Sequence, residues 1–415
     1  MGEIRYFTCR NPEDMPMDKR WLSQMSLFKE WEPFAGPVQG ETGIPGLRLD
    51  FRQGLRLQVP EGNWHVSIYD HDTEDMFLDE DVSDILLISM EKYFVRWAVD
   101  VKKDGEPVFS HVFDPEGQTV VFYSVWGAMG DTLAALPYAQ AFKEKYHCEV
   151  YYKLEGEYLR ELAEHLYPGI PQLGEEAPED TYAIFYLAAW FDTKMGAPID
   201  TRTFPMDEMA GEIVGVHGPA PLPPFHPTRP RVVKGKYVCI AVQASTLSKG
   251  WHYPRGWDIV SDYLNALGYR VICIDRHAYQ RELNYETLMP DSAEDMTGDR
   301  SIMDRANMLY YADFFIGLGS GLSWLAHAVG CPVILISGMS QPWCEFYTPY
   351  RILNRHVCHG CFNDIRTRFQ SKICPYHNGT ERELECSKRI SPRQVIAAID
   401  ELMRREPRVR RDAGE

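Results

Sequence analysis

Four cysteines, Cys358, Cys361, Cys374 and Cys386, are spaced C-x2-C, then twelve residues to the third and eleven to the fourth. One C-x2-C knuckle followed by two further thiolates supplies a tetrahedral sulfur site. Ligand type alone ranks zinc first and leaves iron available to four thiolates. Segment 356–388 holds few large apolar side chains, so a metal cross-link would supply order that burial cannot. His359 and His377 lie in the same stretch as substitute ligands. No open coordination position is implied, and the expected role is structural. Unrelated thiols or a redox disulfide pair are the alternatives.

Three further stretches carry chemistry of another kind. In "WGAMGDTLAALP" (126–137) an apolar strand runs into a glycine turn and a helix. Gly127 and Gly130 let a ligand approach the backbone closely. Asp131 then stands where strand carboxyl ends face a ligand cleft in α/β folds. It is either a helix cap or a general base that deprotonates an acceptor hydroxyl. In "QASTLSKGWHYPRGW" (243–257), Thr246, Ser248 and Lys249 precede a helix and suit a diphosphate, the alternative being a plain polar loop. In "GLGSGLSWLAHA" (317–328), Gly319, Ser320 and Gly321 form a second strand-to-helix turn, whose amides would bind another part of the same anion. Asp275, at the end of an intervening strand, is placed to bind a ribose hydroxyl. His327 reads as a packed histidine. Neither a Walker spacing nor G-x-G-x-x-G is present.

These residues need a scaffold, and the pattern around them predicts an α/β chain. A length of 415 residues suggests several domains at roughly 100–200 residues each. Residues 1–118 alternate apolar and polar positions, as in "YFVRWAVDV", and predict a small antiparallel sheet or barrel. The acidic stretch "YDHDTEDMFLDEDVSD" lacks the glycine and terminal glutamate of a calcium hand and reads as a solvated loop. "TVVFYSVW" at 119 is a near-continuous apolar strand opening a βαβ unit, and the Rossmann-like lobe so begun reaches to about 230. The proline-rich "PAPLPPFHPTRP" ends it as a stiff linker. A second Rossmann-like lobe, 231–415, follows, with a last helix at about 391–405. Two such lobes imply a cleft between them.

The charge balance narrows the partners. A net charge of −17 argues against sequence-independent binding to nucleic acid or anionic membranes. The basic tail "RREPRVRRDAGE" reads as a solvated helix end. No apolar run approaches the ~18–20 residues of a membrane span, and the N-terminal stretch has no signal-peptide core. The expected location is the cytoplasm, where the ten cysteines are reduced or metal-bound. Cys239, Cys273 and Cys331 lie in or beside apolar runs and read as buried small hydrophobes.

Gly130, Asp131, Leu133 and Pro137, then Thr246, Lys249 and Trp251, then Ser320, Gly321 and Leu322, resemble the pattern of the lipopolysaccharide core heptosyltransferases. The chain departs from that pattern at Gly319, where the family has Asp, and at Trp324, where it has His. With its β-rich start and its four cysteines it is similar, over nearly its whole length, to the bacterial autotransporter heptosyltransferases. That resemblance implies a GT-B fold of two lobes, with a barrel-like N-terminal domain and a C-terminal metal finger. It implies an ADP-heptose donor bound by Thr246, Ser248, Lys249, Asp275, Gly319, Ser320, Gly321 and Leu322, with Asp131 as the base. It moves the metal to one structural iron per chain, with zinc as the alternative. It also implies transfer, with inversion, to serines of an adhesin passenger domain, and a large homo-oligomeric ring with a dodecamer as its candidate size. Transfer to lipopolysaccharide core sugar, and a non-catalytic nucleotide-binding scaffold, are the competing readings.

Overall fold

The strand Tyr237–Ile240, buried at every position, lies inside a parallel sheet of six. In chain order these strands are Tyr237–Ile240, Arg270–Cys273, Glu294–Asp295, Phe315–Leu318, Val333–Ile336 and Arg351–Ile352. Their spatial order is 3-2-1-4-5-6, so the order reverses between the first strand and the fourth. Open α/β sheets bind ligands outside the carboxyl ends of their strands at such a switch point. Both faces of the sheet are covered. Helix Gly256–Ala266 turns Trp257, Val260 and Leu264 inward and is followed by Gly268 at φ +78°. Helix Pro392–Arg405 packs on it through Val395, Ile399 and Leu402, a spacing that keeps one stripe apolar. This computed structural model describes residues 2–7, 29–125, 128–187, 195–283, 285–367, 369 and 372–405. The readings of Gly127, of most of the N-terminal stretch and of the tail beyond Arg405 lie outside them.

The first lobe repeats the design on a smaller scale. Thr119–Ser124 is the middle of three parallel strands, between Glu149–Leu154 and Thr181–Tyr186. Val120, Val121 and Phe122 are all fully buried, as the unbroken apolar run predicts. Helix Met129–Tyr146 leaves its carboxyl end.

Ahead of this lobe lie two four-stranded sheets. One has the order Glu3–Phe7, Ile85–Ser89, Arg56–Val59, Arg48–Asp50, and the other Met76–Val82, Trp64–Asp70, Trp97–Lys103, Glu106–Val112. Two expectations need correction. The first sheet is mixed, because Glu3–Phe7 pairs parallel with Ile85–Ser89. The acidic stretch is not all loop, since Met76–Val82 pairs antiparallel with Trp64–Asp70. Its charges sit on an edge strand, where they discourage pairing with another chain. Asp79 and Asp81 there hold His65, whose pKa their hydrogen bonds raise. The sheets share a core with the first lobe. Phe51 meets Phe113 edge-on at 4.7 Å, and Phe113 stacks on Tyr182 at 5.3 Å.

The lobes touch in several places. The linker is fixed on the second lobe by Asn307, which accepts from the Thr228 N–H at 2.9 Å. Phe225 of the linker is buried against His165 of one lobe and Tyr310 of the other. Arg202 of the first lobe is buried and donates to the carbonyls of Asp364, Ile365 and Thr367, inside the cysteine-bearing segment. A hairpin, Tyr279–Glu282 with Tyr285–Leu288, is held to the second lobe by Gln280 on the Ala244 carbonyl and by Tyr285 on Glu383, and was not anticipated from sequence.

Candidate active site between the lobes

A cleft of about 970 Å³ opens between the lobes, at the carboxyl ends of both parallel sheets. The first lobe supplies Asp131. The helix that carries it is capped by Ala128, with no side-chain cap bond, so Asp131 is not the N-cap. It is the third helical residue, where unpaired backbone N–H groups and the helix dipole favour a negative charge. Asp131 is exposed to the cleft, yet both lobes surround it. The resulting loss of bulk water raises its carboxyl pKa above the ordinary value, while the Lys249 ammonium across the cleft pulls it down. Tyr158 lines the cleft nearby.

The second lobe supplies two loops at its switch point. Thr246 caps a 3-10 turn, Leu247–Lys249, directly after the first strand. Thr246 and Lys249 line the cleft. Among the described residues the Lys249 ammonium makes no hydrogen bond or ion pair, which leaves it available to an anion. Ser248 does not line the cleft; it is buried, with its hydroxyl 3.4 Å from that of Thr246. Gly319, Ser320, Gly321 and Leu322 line the cleft after the fourth strand. Ser320 caps helix Gly321–Ala328 without a side-chain bond, and the Ser323 amide donates to the Ser320 carbonyl, so among the described residues the Gly321 and Leu322 amides are the ones left for an anion.

Asp275 also reaches the cleft, but its carboxylate is already engaged. It accepts from Val242 N–H at 2.6 Å and lies 3.4 Å from Gln243 N–H, tying two strand ends together. Burial pushes its pKa up to about 7. His327 stacks on Phe346 at 4.3 Å, and burial pushes its pKa down to about 4. Cys239, Cys273 and Cys331 are buried.

Two glycines let the lobes meet. A Cβ on Gly130 would lie 2.9 Å from the Trp324 ring, and one on Gly321 would lie 2.8 Å from the Met129 Cβ. Trp324 thus packs the second lobe onto the first. A Cβ on Gly319 would lie 2.2 Å from Glu345 Oε1. Glu345 lines the cleft and was missed from sequence, because nothing in "QPWCEFY" sets it apart from a surface acid.

The cysteine segment forms another wall, through Phe362, Phe369 and Lys372. Cys361, Cys374 and Cys386 are buried and Cys358 is partly so. Burial first, and then neighbouring thiols of the same four, push the Cys361 and Cys386 thiols up to about 12. Burial raises Cys358 too, followed by Cys374 and Glu385. Thiolates gathered this way need a cation to be held together. Ligand atoms of Cys358, His377 and Glu385 lie within 4.8 Å of one another. That set, one thiol with an imidazole and a carboxylate, can hold a metal ion; Cys361, Cys374 and Cys386 are neighbours of its thiol but lie outside it.

The same segment braces the loop that carries Lys249. Leu247 packs with Cys374 and Leu384. Ser387 Oγ donates to the Gly250 carbonyl at 2.7 Å and accepts from the His252 N–H at 2.8 Å.

Comparison with known proteins agrees with this architecture. Residues 219–372 match the model of glycosyltransferase family 9 (heptosyltransferase), and residues 43–105 match the N-terminal domain of glycosyltransferase TibC. The autotransporter heptosyltransferase BAHTCr of Citrobacter rodentium is 37% identical over 88% of this chain and 91% of its own length. This chain belongs to the autotransporter heptosyltransferase family. TibC of Escherichia coli O78:H11 is likewise 37% identical over 88% of this chain and 91% of its own. The crystal structure of iron-containing, dodecameric TibC superposes with a TM-score of 0.84 at 36% identity, covering 89% of this chain and 99% of that one. A second TibC structure, in complex with ADP-D-beta-D-heptose, gives 0.83 at 34% identity, covering 89% and 99%. This heptosyltransferase-family chain thus has the GT-B-like fold of family 9. Another relative, BimC of Burkholderia thailandensis, is 32% identical over 88% of each chain and is an inactive autotransporter heptosyltransferase. Membership alone therefore does not carry catalysis; the site must.

Proposed function

We propose that this chain transfers heptose from ADP-heptose to serine hydroxyls of an autotransporter adhesin passenger domain in the cytoplasm. The observation that carries the reading is the cleft itself, which sets Asp131 of one lobe against Lys249 and the free helix amides after Ser320 of the other. The diphosphate of the donor lies on Lys249 and those amides. Asp131 takes the proton from the acceptor serine Oγ, which attacks the anomeric carbon. The bond from that carbon to the diphosphate oxygen breaks, and ADP leaves with its charge offset by Lys249. A single displacement of this kind inverts the anomeric centre.

The rest of the chain has supporting roles in this reading. Residues 1–118 are a barrel-like acceptor-docking domain, 119–230 the base-bearing lobe, and 231–415 the donor lobe. Cys358, Cys361, Cys374 and Cys386 hold one iron, which cross-links segment 356–388 as a finger and takes no part in the chemistry. Zinc would serve the same role. The finger supports a homo-oligomeric ring, the dodecamer of TibC being the example. No helix among the described residues is long and apolar enough to cross a membrane.

The test is turnover. Protein mixed with ADP-heptose and a serine-rich passenger fragment should add heptose mass increments to serines. Absence of transfer with normal ADP binding would favour the scaffold reading, and transfer to core oligosaccharide alone would replace the acceptor. Lys249→Ala should raise the dissociation constant for ADP about ten- to a hundred-fold, the worth of one charge-assisted contact. Unchanged calorimetry with ADP would remove Lys249 from the site.

A further inference from the structure

We infer that Glu345 is a specificity residue that binds a hydroxyl of the transferred sugar through Oε1. The inference rests on the donor reading above and names the contact that reading lacks. Glu345 is only 7% exposed, yet it lines the cleft. Its two oxygens have different surroundings. Oε2 accepts from Arg351 at 2.6 Å and from Ser340 Oγ at 3.1 Å. Oε1 is the oxygen turned to Gly319, at the strand-to-helix turn of the donor loops, and among the described residues it accepts no hydrogen bond. Arg351 and Ser340 thus fix the carboxylate and leave its second oxygen as an acceptor at the cleft wall. A carboxylate oxygen held in place at the wall of a ligand cleft is an acceptor ready for a ligand hydroxyl, and such a charge-assisted bond is stronger than a neutral one.

The chemistry of that donor follows from charge and from the sheet order. A carboxylate repels a diphosphate, so the phosphates lie on Lys249 and the helix amides instead. Asp275 follows the second strand, the place where acidic residues meet ribose in Rossmann sites. Glu345 follows the fifth strand, on the other side of the switch point. With the nucleoside toward Asp275, the neutral polyhydroxyl part of the donor lies toward Glu345. Gly319 belongs to the same device, because a side chain there would occupy the space of Oε1.

Calorimetry with ADP and with ADP-heptose separates this role from general support of the pocket. Glu345→Gln should weaken ADP-heptose about ten- to a hundred-fold, as expected for a hydrogen bond to a charged group, and leave ADP within about two-fold. Equal losses for both ligands, or no loss for either, would overturn the inference. The single variant strands Arg351 without a counter-charge. If it does not fold, the charge-neutral pair Glu345→Gln with Arg351→Met replaces it. Wild-type protein supplies an arm independent of folding: among ADP-heptose analogues each lacking one sugar hydroxyl, one should bind more weakly by a similar factor. If all bind as ADP-heptose does, the contact does not exist. Failure of wild type to bind either nucleotide would instead overturn the donor reading, and the inference with it.

Discussion

Asp131→Asn should cut heptose transfer by about 10²–10⁴-fold while ADP-heptose affinity stays within a few-fold. The amide keeps the shape of the side chain and cannot take the proton of the acceptor. Near-normal turnover by a folded variant would leave Asp131 as no more than a first-turn acid of its helix. The pH profile adds a second readout. Removal from bulk water raises the Asp131 pKa, and the base works only when ionised. The rate in wild type should therefore fall, as pH drops, at a pH above the ordinary aspartate value of about 3.9. Lys249 lowers that pKa, so Lys249→Ala should move the acid limb to still higher pH. A limb unmoved by Lys249→Ala would mean that another group sets it.

Cys374→Ser should release the metal and weaken donor binding together. Each purified wild-type chain should carry one metal at sulfur distances near ~2.3 Å, and elemental analysis would distinguish iron from zinc. The coupling to the donor site is structural. Cys374 packs against Leu247, two residues before Lys249, and Ser387, next to Cys386, holds the backbone on the other side of that lysine. A loosened segment therefore lets the Lys249 turn drift. The first lobe's own core does not depend on it and should stay folded. Light scattering should show loss of assembly, and calorimetry a weaker ADP complex. Metal-free wild type with intact assembly and normal ADP affinity would exclude both roles.

Much of the framework was legible because burial leaves a period in the sequence. Residues 119–124 form a near-continuous apolar run and 237–240 an unbroken one, and both lie inside parallel sheets. Trp97, Val99 and Val101 alternate inward as read, although the strand begins only at Trp97, because Lys92 and Phe94 just before it bond elsewhere. Charge concealed other elements. Met76–Val82 has a strand's pairing beneath acidic side chains, and the hairpin at 279–288 mixes polar and apolar residues without a run that marks a strand. In the site, glycine and hydroxyl clusters after apolar strands located Thr246, Lys249 and the Gly319 turn. The burial of Ser248 depends on the sense of a short turn, which composition does not specify. Glu345 and Arg202 were illegible for a shared reason. Each matters through a partner that only folding brings near: Gly319, across 26 positions, for Glu345, and the carbonyls of 364–367 for Arg202.

The grip of Arg202 on those carbonyls bears on how the enzyme opens. Two lobes joined only by the stretch 219–230 would be free to swing in any direction. Arg202 adds a second tether far along the chain, through three carbonyls at once, and the Met206 amide bonded to the Cys344 carbonyl lies beside it. The Trp324 contact at Gly130 and Phe225, set between His165 and Tyr310, add further attachments, so the lobes are held at polar and apolar points alike. Any swing of one lobe would break several of these attachments at once, which holds Asp131 in one register opposite Lys249.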